Sequence, residues 1–165
     1  MRYRILTAVA VATMVALAPA HSPVMADRTS TPIVAPDKPA DKAPPTPQWI
    51  KDRLAQGKRC KRWEPLIKEF GLPVEFFSYF SFRESKCAVT AVNAKFRNGK
   101  VVWTLNSNGT FDSGLLQINS SWQSVTAKVC KSKLGDLSVL LNPRCNVAVA
   151  RYLYDDGGLR HWGYR

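Results

Sequence analysis

Histidine is scarce in this chain. His21 and His161 are the only two, and the four cysteines, Cys60, Cys87, Cys130 and Cys145, contain no Cys-x-x-Cys pair. This removes the usual ligand sets for zinc, so no metal site and no cofactor are expected. No apolar run reaches the about 20 residues that a membrane-crossing helix needs. Internal repeats are absent, and no nucleic-acid-binding motif is present. Acidic side chains are few, 12 against 24 Lys and Arg, which leaves a formal charge of +12.

What is present begins with an export layout. Met1-Arg2-Tyr3-Arg4 is a short basic stretch, followed by the apolar run Ile5 to Ala18 and small residues around Ala18-Pro19-Ala20. That pattern reads as a secretory signal peptide over 1–26, with cleavage after Ala20 or Ala26. A retained anchor is the alternative. The cysteines are even in number and all lie beyond the signal, as an oxidising compartment favours. Four cysteines allow three pairings. Closeness in sequence suggests Cys60–Cys87 and Cys130–Cys145, each stabilising by about 3 kcal/mol. The expected location is secreted or associated with a cell wall.

Residues 27–48 are a segment of another kind. Pro32, Pro36, Pro39, Pro44, Pro45 and Pro47 alternate with Ala, Thr, Asp and Lys, and large apolar residues are nearly absent. The composition predicts an extended linker, with folding beginning near Trp49. The remaining 117 residues, 49–165, suffice for one small core helped by disulfides. Arg2 and Arg4 leave with the signal and the linker charges balance, so this domain carries the remaining +10. Such a surface attracts polyanions, more weakly as salt rises.

The domain reads as α+β, mainly helical with a small antiparallel hairpin lobe and a cleft between the parts. Trp63 to Phe70 is a short helix stopped by Gly71. Pro73 suits the first position of the next helix, which runs through Glu84. Asn98-Gly99 and Asn108-Gly109 flank Lys100–Leu105, a hairpin signal. Helices return over Ser121 to Lys131 and after Asn142-Pro143, the last ending at Gly157-Gly158.

Two carboxylates stand out. On the helix ending at Glu84, Phe77, Phe80 and Glu84 share a face beside Phe76. Desolvation disfavours a charged carboxylate at the end of such a stripe, which keeps a proton available for a leaving group. The alternative pairs Glu84 with Arg83 or Lys86 on a solvated surface. Asp112 follows Asn-Gly-Thr-Phe and precedes Ser113-Gly114, a polar setting suited to an ionised group. The alternative there is a turn residue capping its own backbone. Two carboxylates in unlike environments are what acid-assisted cleavage of a glycosidic bond requires.

Glu84-Ser85, followed by a β-region and Asp112-x-Gly114-Leu115-Leu116-Gln117-Ile118-Asn119-Ser120-x-Trp122, resembles the core motif of the lysozyme superfamily. The Asp two residues before Gly is similar to animal-type (c-type) lysozymes. Glu-Ser followed by Gly-Leu-Leu-Gln-Ile resembles the soluble lytic transglycosylase family, as does Asn142-Pro143-Arg144-Cys145-Asn146-Val147-Ala148. The overall style resembles lysozyme-like proteins of actinobacteria and their phages, over roughly residues 60–162. The resemblance implies Glu84 as catalytic acid and Asp112 as second carboxylate, with Ser85, Gln117, Asn119 and Trp122 binding substrate. The sequence departs from both patterns. Glu84 and Asp112 are 28 positions apart, further than in the animal enzymes. The transglycosylase Tyr-Asn signature near the domain end is replaced by Leu159-Arg160-His161-Trp162.

The implied activity is cleavage of peptidoglycan glycan strands by a monomer. It would be a lytic transglycosylase if Glu84 serves as acid and then base, or a muramidase if Asp112 takes part. Anionic wall polymers are the expected partners by charge, and nucleic acid is not. Trp103 and Trp122 are candidates for stacking on sugars. A non-catalytic wall-binding module and a cationic membrane-disrupting protein are the rivals from other classes.

Overall fold

A computed structural model describes residues 33–35, 43–98 and 100–164. The expected signal segment and most of the expected linker lie outside the described residues. The centre of the fold is the helix α5, Pro143–Gly157. Asn142 Oδ1 accepts the Arg144 N–H at 2.9 Å, and Pro143 supplies a preset φ at the first helical position. Nine of its residues between Cys145 and Tyr154 are buried, so the helix is covered on almost every side.

Before it in the chain come α1 (Gln48–Ala55), α2 (Glu64–Glu69), α3 (Val74–Ser85) and α4 (Gln123–Cys130), joined in places by short 3-10 turns. α2 and α4 pack on α5, and α1 and α2 pack on α3. Pro73 precedes α3 instead of opening it, because its ψ of 103° is extended. Phe76, Phe77 and Phe80 of α3 are fully buried, and Trp162 from the C-terminal turn Gly158–Trp162 stacks on Phe80 with centroids 6.2 Å apart. Aromatic contacts of this kind add about 1 kcal/mol to the area they bury.

The strands are few. β1 (Ala94–Arg97) pairs antiparallel with β2 (Lys100–Trp103), Arg97 opposite Lys100, the pairing that the Asn-Gly signal between them predicts. The second Asn-Gly does not make a hairpin. Asn106 N–H donates to Thr110 O at 2.7 Å and closes a local loop around Asn108-Gly109. β3 (Asp112–Ser113) pairs instead with β4 (Ile118–Asn119). The chain is α+β at this level.

Both expected disulfides form, Cys60–Cys87 and Cys130–Cys145. The first ties the approach to α2 to the end of α3, immediately after Glu84. The second joins the end of α4 to the start of α5. Part of the predicted linker is ordered against the domain: Ile33 and Ala35 pack on the core, and Arg144 Nε donates to Ile33 O at 2.7 Å. These are among the few apolar side chains in that segment; both are half-buried, while Val34 between them is exposed. No helix among the described residues is long and apolar enough to cross a membrane.

The connection from β3 to β4 carries the motif, and its backbone is satisfied largely by side chains from elsewhere. Leu116 N–H donates to Asn146 Oδ1 at 2.8 Å, and Asn146 Nδ2 donates to Ser113 O at 2.9 Å and Leu140 O at 3.1 Å. Trp162 Nε1 donates to Leu116 O at 3.3 Å. Gly114 has φ 79°, and a Cβ there would lie 2.2 Å from both Asn146 Nδ2 and Leu140 O. Only glycine lets this loop lie on α5. Asn146→Leu strands these buried groups, and a stability loss of about 3 kcal/mol in urea unfolding is expected.

A second polar chain supports the first disulfide. Cys60 N–H donates to Ser78 Oγ, whose hydroxyl donates to Glu64 Oε1 at 2.7 Å, and Arg59 grips the same carboxylate. Burial pushes the Glu64 carboxyl up, but the hydrogen bonds from Ser78 and Arg59 and the charges of Arg59 and Lys61 hold it below its ordinary 4.5. A depressed carboxyl contributes stability that is present above its unfolded value and lost as pH falls through the folded one. Unfolding free energy should therefore decline below about pH 4.5, with a shallower slope in Glu64→Gln, as acid titration in fixed urea would show.

Candidate active site

A pocket of about 530 Å³ opens where the end of α3, the β3–β4 connection and the C-terminal turn meet. Glu84, Asp112, Gln117, Asn119 and Trp122 all line it. The structure thus brings together both predicted carboxylates and three of the four predicted substrate-binding residues.

Glu84 sits on the last turn of α3, its side chain 28% exposed. Its surroundings differ from the apolar stripe expected. Arg83 donates to Glu84 Oε1 through Nε at 2.8 Å and Nη2 at 2.5 Å, and also donates from Nη2 to Trp162 O at 2.6 Å. The phenylalanines of the stripe are turned fully into the core, and it is the Arg83 guanidinium that lies over the Phe80 ring, 4.9 Å from its centroid. The physical reason is the cost of burying a carboxylate without partners, which the neighbouring cation and the open pocket avoid. The pairing with Arg83 is the one weighed as the alternative, but it occurs at the pocket wall. Oε1 of Glu84 is thus held by Arg83, and among the described residues Oε2 accepts no hydrogen bond.

Asp112 occupies the first position of β3. Asn119 Nδ2 donates to its Oδ1 at 2.8 Å, while Asn93 and Asn106 donate to its Oδ2 at 3.2 and 3.0 Å. Three neutral amides, drawn from before β1, from the loop after β2 and from β4, fix both oxygens. This is a polar environment, as expected, and these partners are other side chains and not Asp112's own backbone. A carboxylate so held keeps its orientation.

Several predicted binding residues have other work. Ser85 is buried and does not line the pocket: its hydroxyl lies 2.8 Å from Leu115 O and 2.9 Å from Ser81 O. Its place at the end of α3 points it towards the β3–β4 connection while Glu84 faces the pocket. Gln117 Nε2 donates to Gly114 O at 2.8 Å and Ala91 O at 3.0 Å, so its amide closes the loop from within. Gln117 has φ 47°, which breaks the strand-like alternation expected there, although Leu116 and Ile118 are still the buried members. Asn119 holds Asp112 at one end and caps Ser121 N–H at the other, 3.0 Å away. Trp103 lies apart from this pocket, on Phe111 at 5.0 Å between centroids.

Residues that the sequence reading did not place here include Asn93, Asn106, Leu153, His161 and Trp162. His161 stands 5.4 Å from Trp122 between centroids and 3.6 Å from Asp156 Oδ2. A Cβ on Gly157 would lie 2.4 Å from its Nε2, so a larger residue there would displace the imidazole. The sequence signal for His161 was its lying where a different signature was expected; for Asn93 and Asn106 there was none beyond their nearness to turns. No protein-family model, curated protein or solved structure matches the chain.

Ser85→Ala removes a donor from the buried Leu115 carbonyl and should cost about 1–2 kcal/mol in urea unfolding. Because that bond joins the end of α3 to the β3–β4 connection, the loss should come with weaker protection of that connection, as amide hydrogen exchange would show.

Proposed function

We propose that this protein is a secreted enzyme that cleaves peptidoglycan glycan strands at the glycosidic bond between N-acetylmuramic acid and N-acetylglucosamine. One observation carries this reading: Glu84 and Asp112, 28 positions apart, line one pocket in unlike settings. Glu84 acts as the acid. The two-point grip of Arg83 falls on Oε1, which leaves Oε2 as the oxygen from which a proton passes to the leaving oxygen as the bond breaks. Arg83 retains Trp162 O and the Phe80 ring as partners when Glu84 changes charge. The pocket is the cleft where the strand lies, and Trp122 offers an indole at its wall.

The amide cage around Asp112 favours the hydrolytic form of this activity. Asp112 is oriented towards the pocket as a fixed negative charge, suited to an oxocarbenium-like centre developing there. Water then completes the cleavage. A lytic transglycosylase is the second reading, supported by a different aspect of the same contacts. Both Asp112 oxygens already accept amide protons, which weakens it as a nucleophile and leaves internal attack by the sugar's own primary hydroxyl, with Glu84 as acid and then base. Export, which the disulfides suit, places the enzyme at the wall.

Purified peptidoglycan digested by the full chain should release soluble fragments, and Glu84→Gln should slow release by at least about 100-fold. Mass spectrometry of those fragments separates the two forms. Ordinary reducing ends mark the hydrolase, and anhydro ends lighter by one water mark the transglycosylase. A Glu84→Gln protein that releases fragments at the wild-type rate removes Glu84 from the mechanism, and a wild-type protein that releases none refutes the enzymatic reading and leaves a wall-binding module.

A further inference from the structure

The opposite side of Arg83 opens onto a second, smaller cleft of about 210 Å³. Its lining is Arg53, Lys58, Tyr79, Phe82, Arg83 and Lys86, with no acidic residue among them. Among the described residues, Arg53, Lys58 and Lys86 form no salt bridge, and only Arg83 is neutralised, by Glu84. Two helices end here. Arg53 lies in the last turn of α1, and Arg83 and Lys86 lie at the last turn and the cap of α3. Each helix C-terminus carries about half a negative charge, which offsets only part of three free cations. The surplus is concentrated in one cleft beside the candidate active site.

The geometry points to this cleft as a binding site for the phosphodiester groups of an anionic polyol-phosphate chain of the wall, carried alongside the glycan. This rests on the reading of the Glu84 pocket as the glycan site. Arginine forks match tetrahedral phosphate oxygens in pairs, and lysines serve as mobile point charges towards the same group. Arg83 lines both cavities, so a strand seated against Glu84 brings its acidic substituents directly to the cationic side. The aromatic rings argue against single-stranded nucleic acid, which binds by stacking bases on open ring faces. Tyr79 is packed edge-on to Trp49 at 5.5 Å and against Phe80 at 6.1 Å, and Lys86 Nζ covers Phe82 at 4.5 Å.

The test uses full-length proteins with poly(glycerol phosphate) as probe. Arg53→Gln/Lys58→Gln/Lys86→Gln is compared with Lys68→Gln/Lys128→Gln/Lys133→Gln, which removes equal charge from exposed positions elsewhere. The cleft variant should lose about tenfold in affinity and the control less than threefold, as expected for three converging contacts against diffuse charge alone. Equal losses overturn the proposal, as does a larger effect of the cleft variant on a single-stranded oligonucleotide of matched charge. Circular dichroism and urea unfolding of both variants verify that they fold; a cleft variant that fails is replaced by single substitutions, each expected to lose about twofold. The same titration is run in the Glu84→Gln background. Failure of glycan cleavage then refutes the enzymatic reading, while discrimination between the two triple variants still decides this one.

Discussion

A single buried carboxamide organises this molecule. Asn146 is fully covered on α5, and its two ends receive Leu116 N–H and supply Ser113 O and Leu140 O. The loop it holds has no regular secondary structure of its own to satisfy its backbone. Gly114 permits the close approach, Ser85 meets Leu115 O, and Trp162 meets Leu116 O. Helix end, loop and C-terminal turn are thus joined at one place. Partial satisfaction would be costly in so dry a setting, so the parts stand or fall together.

The candidate site inherits its geometry from that junction. Glu84 precedes Ser85, so the bond from Ser85 to Leu115 O also sets where α3 delivers its acid. Asp112 precedes Ser113, so the bond from Asn146 to Ser113 O sets where β3 delivers the second carboxylate. Gln117 and Asn119, whose positions suggest sugar contacts, complete this frame: one closes the loop and the other orients Asp112. The motif is in large part a clasp that holds two carboxylates, and only some of its side chains remain to face a ligand.

Charge is arranged with equal economy. Arg83 stands between the pocket and the basic cleft, gripping Glu84 on one side and joining unpaired cations on the other. It also fastens the C-terminal turn through Trp162 O, so that His161 and Trp162 reach the pocket wall. A strongly basic surface of itself attracts any polyanion; a localised surplus next to a pocket is a more selective arrangement.

Local patterns were legible wherever the determining forces are local. Asn142-Pro143 marked the start of α5, Asn98-Gly99 the pairing of β1 with β2, and closeness in sequence the two disulfides, because capping, turn chemistry and short-loop closure depend on neighbours in the chain. The pairing of Glu84 with Asp112 was legible only as a motif. The cage of Asn93, Asn106 and Asn119, the turning of Ser85 away from the pocket, the arrival of His161, and the docking of Ile33 on the core were not. Each depends on contacts between residues far apart in sequence, where side-chain amides and hydroxyls answer buried backbone groups of another segment. Sequence determined the elements and named the two carboxylates; tertiary packing decided which polar side chains would support the frame and which would face the pocket, because only there is each buried donor matched with its acceptor.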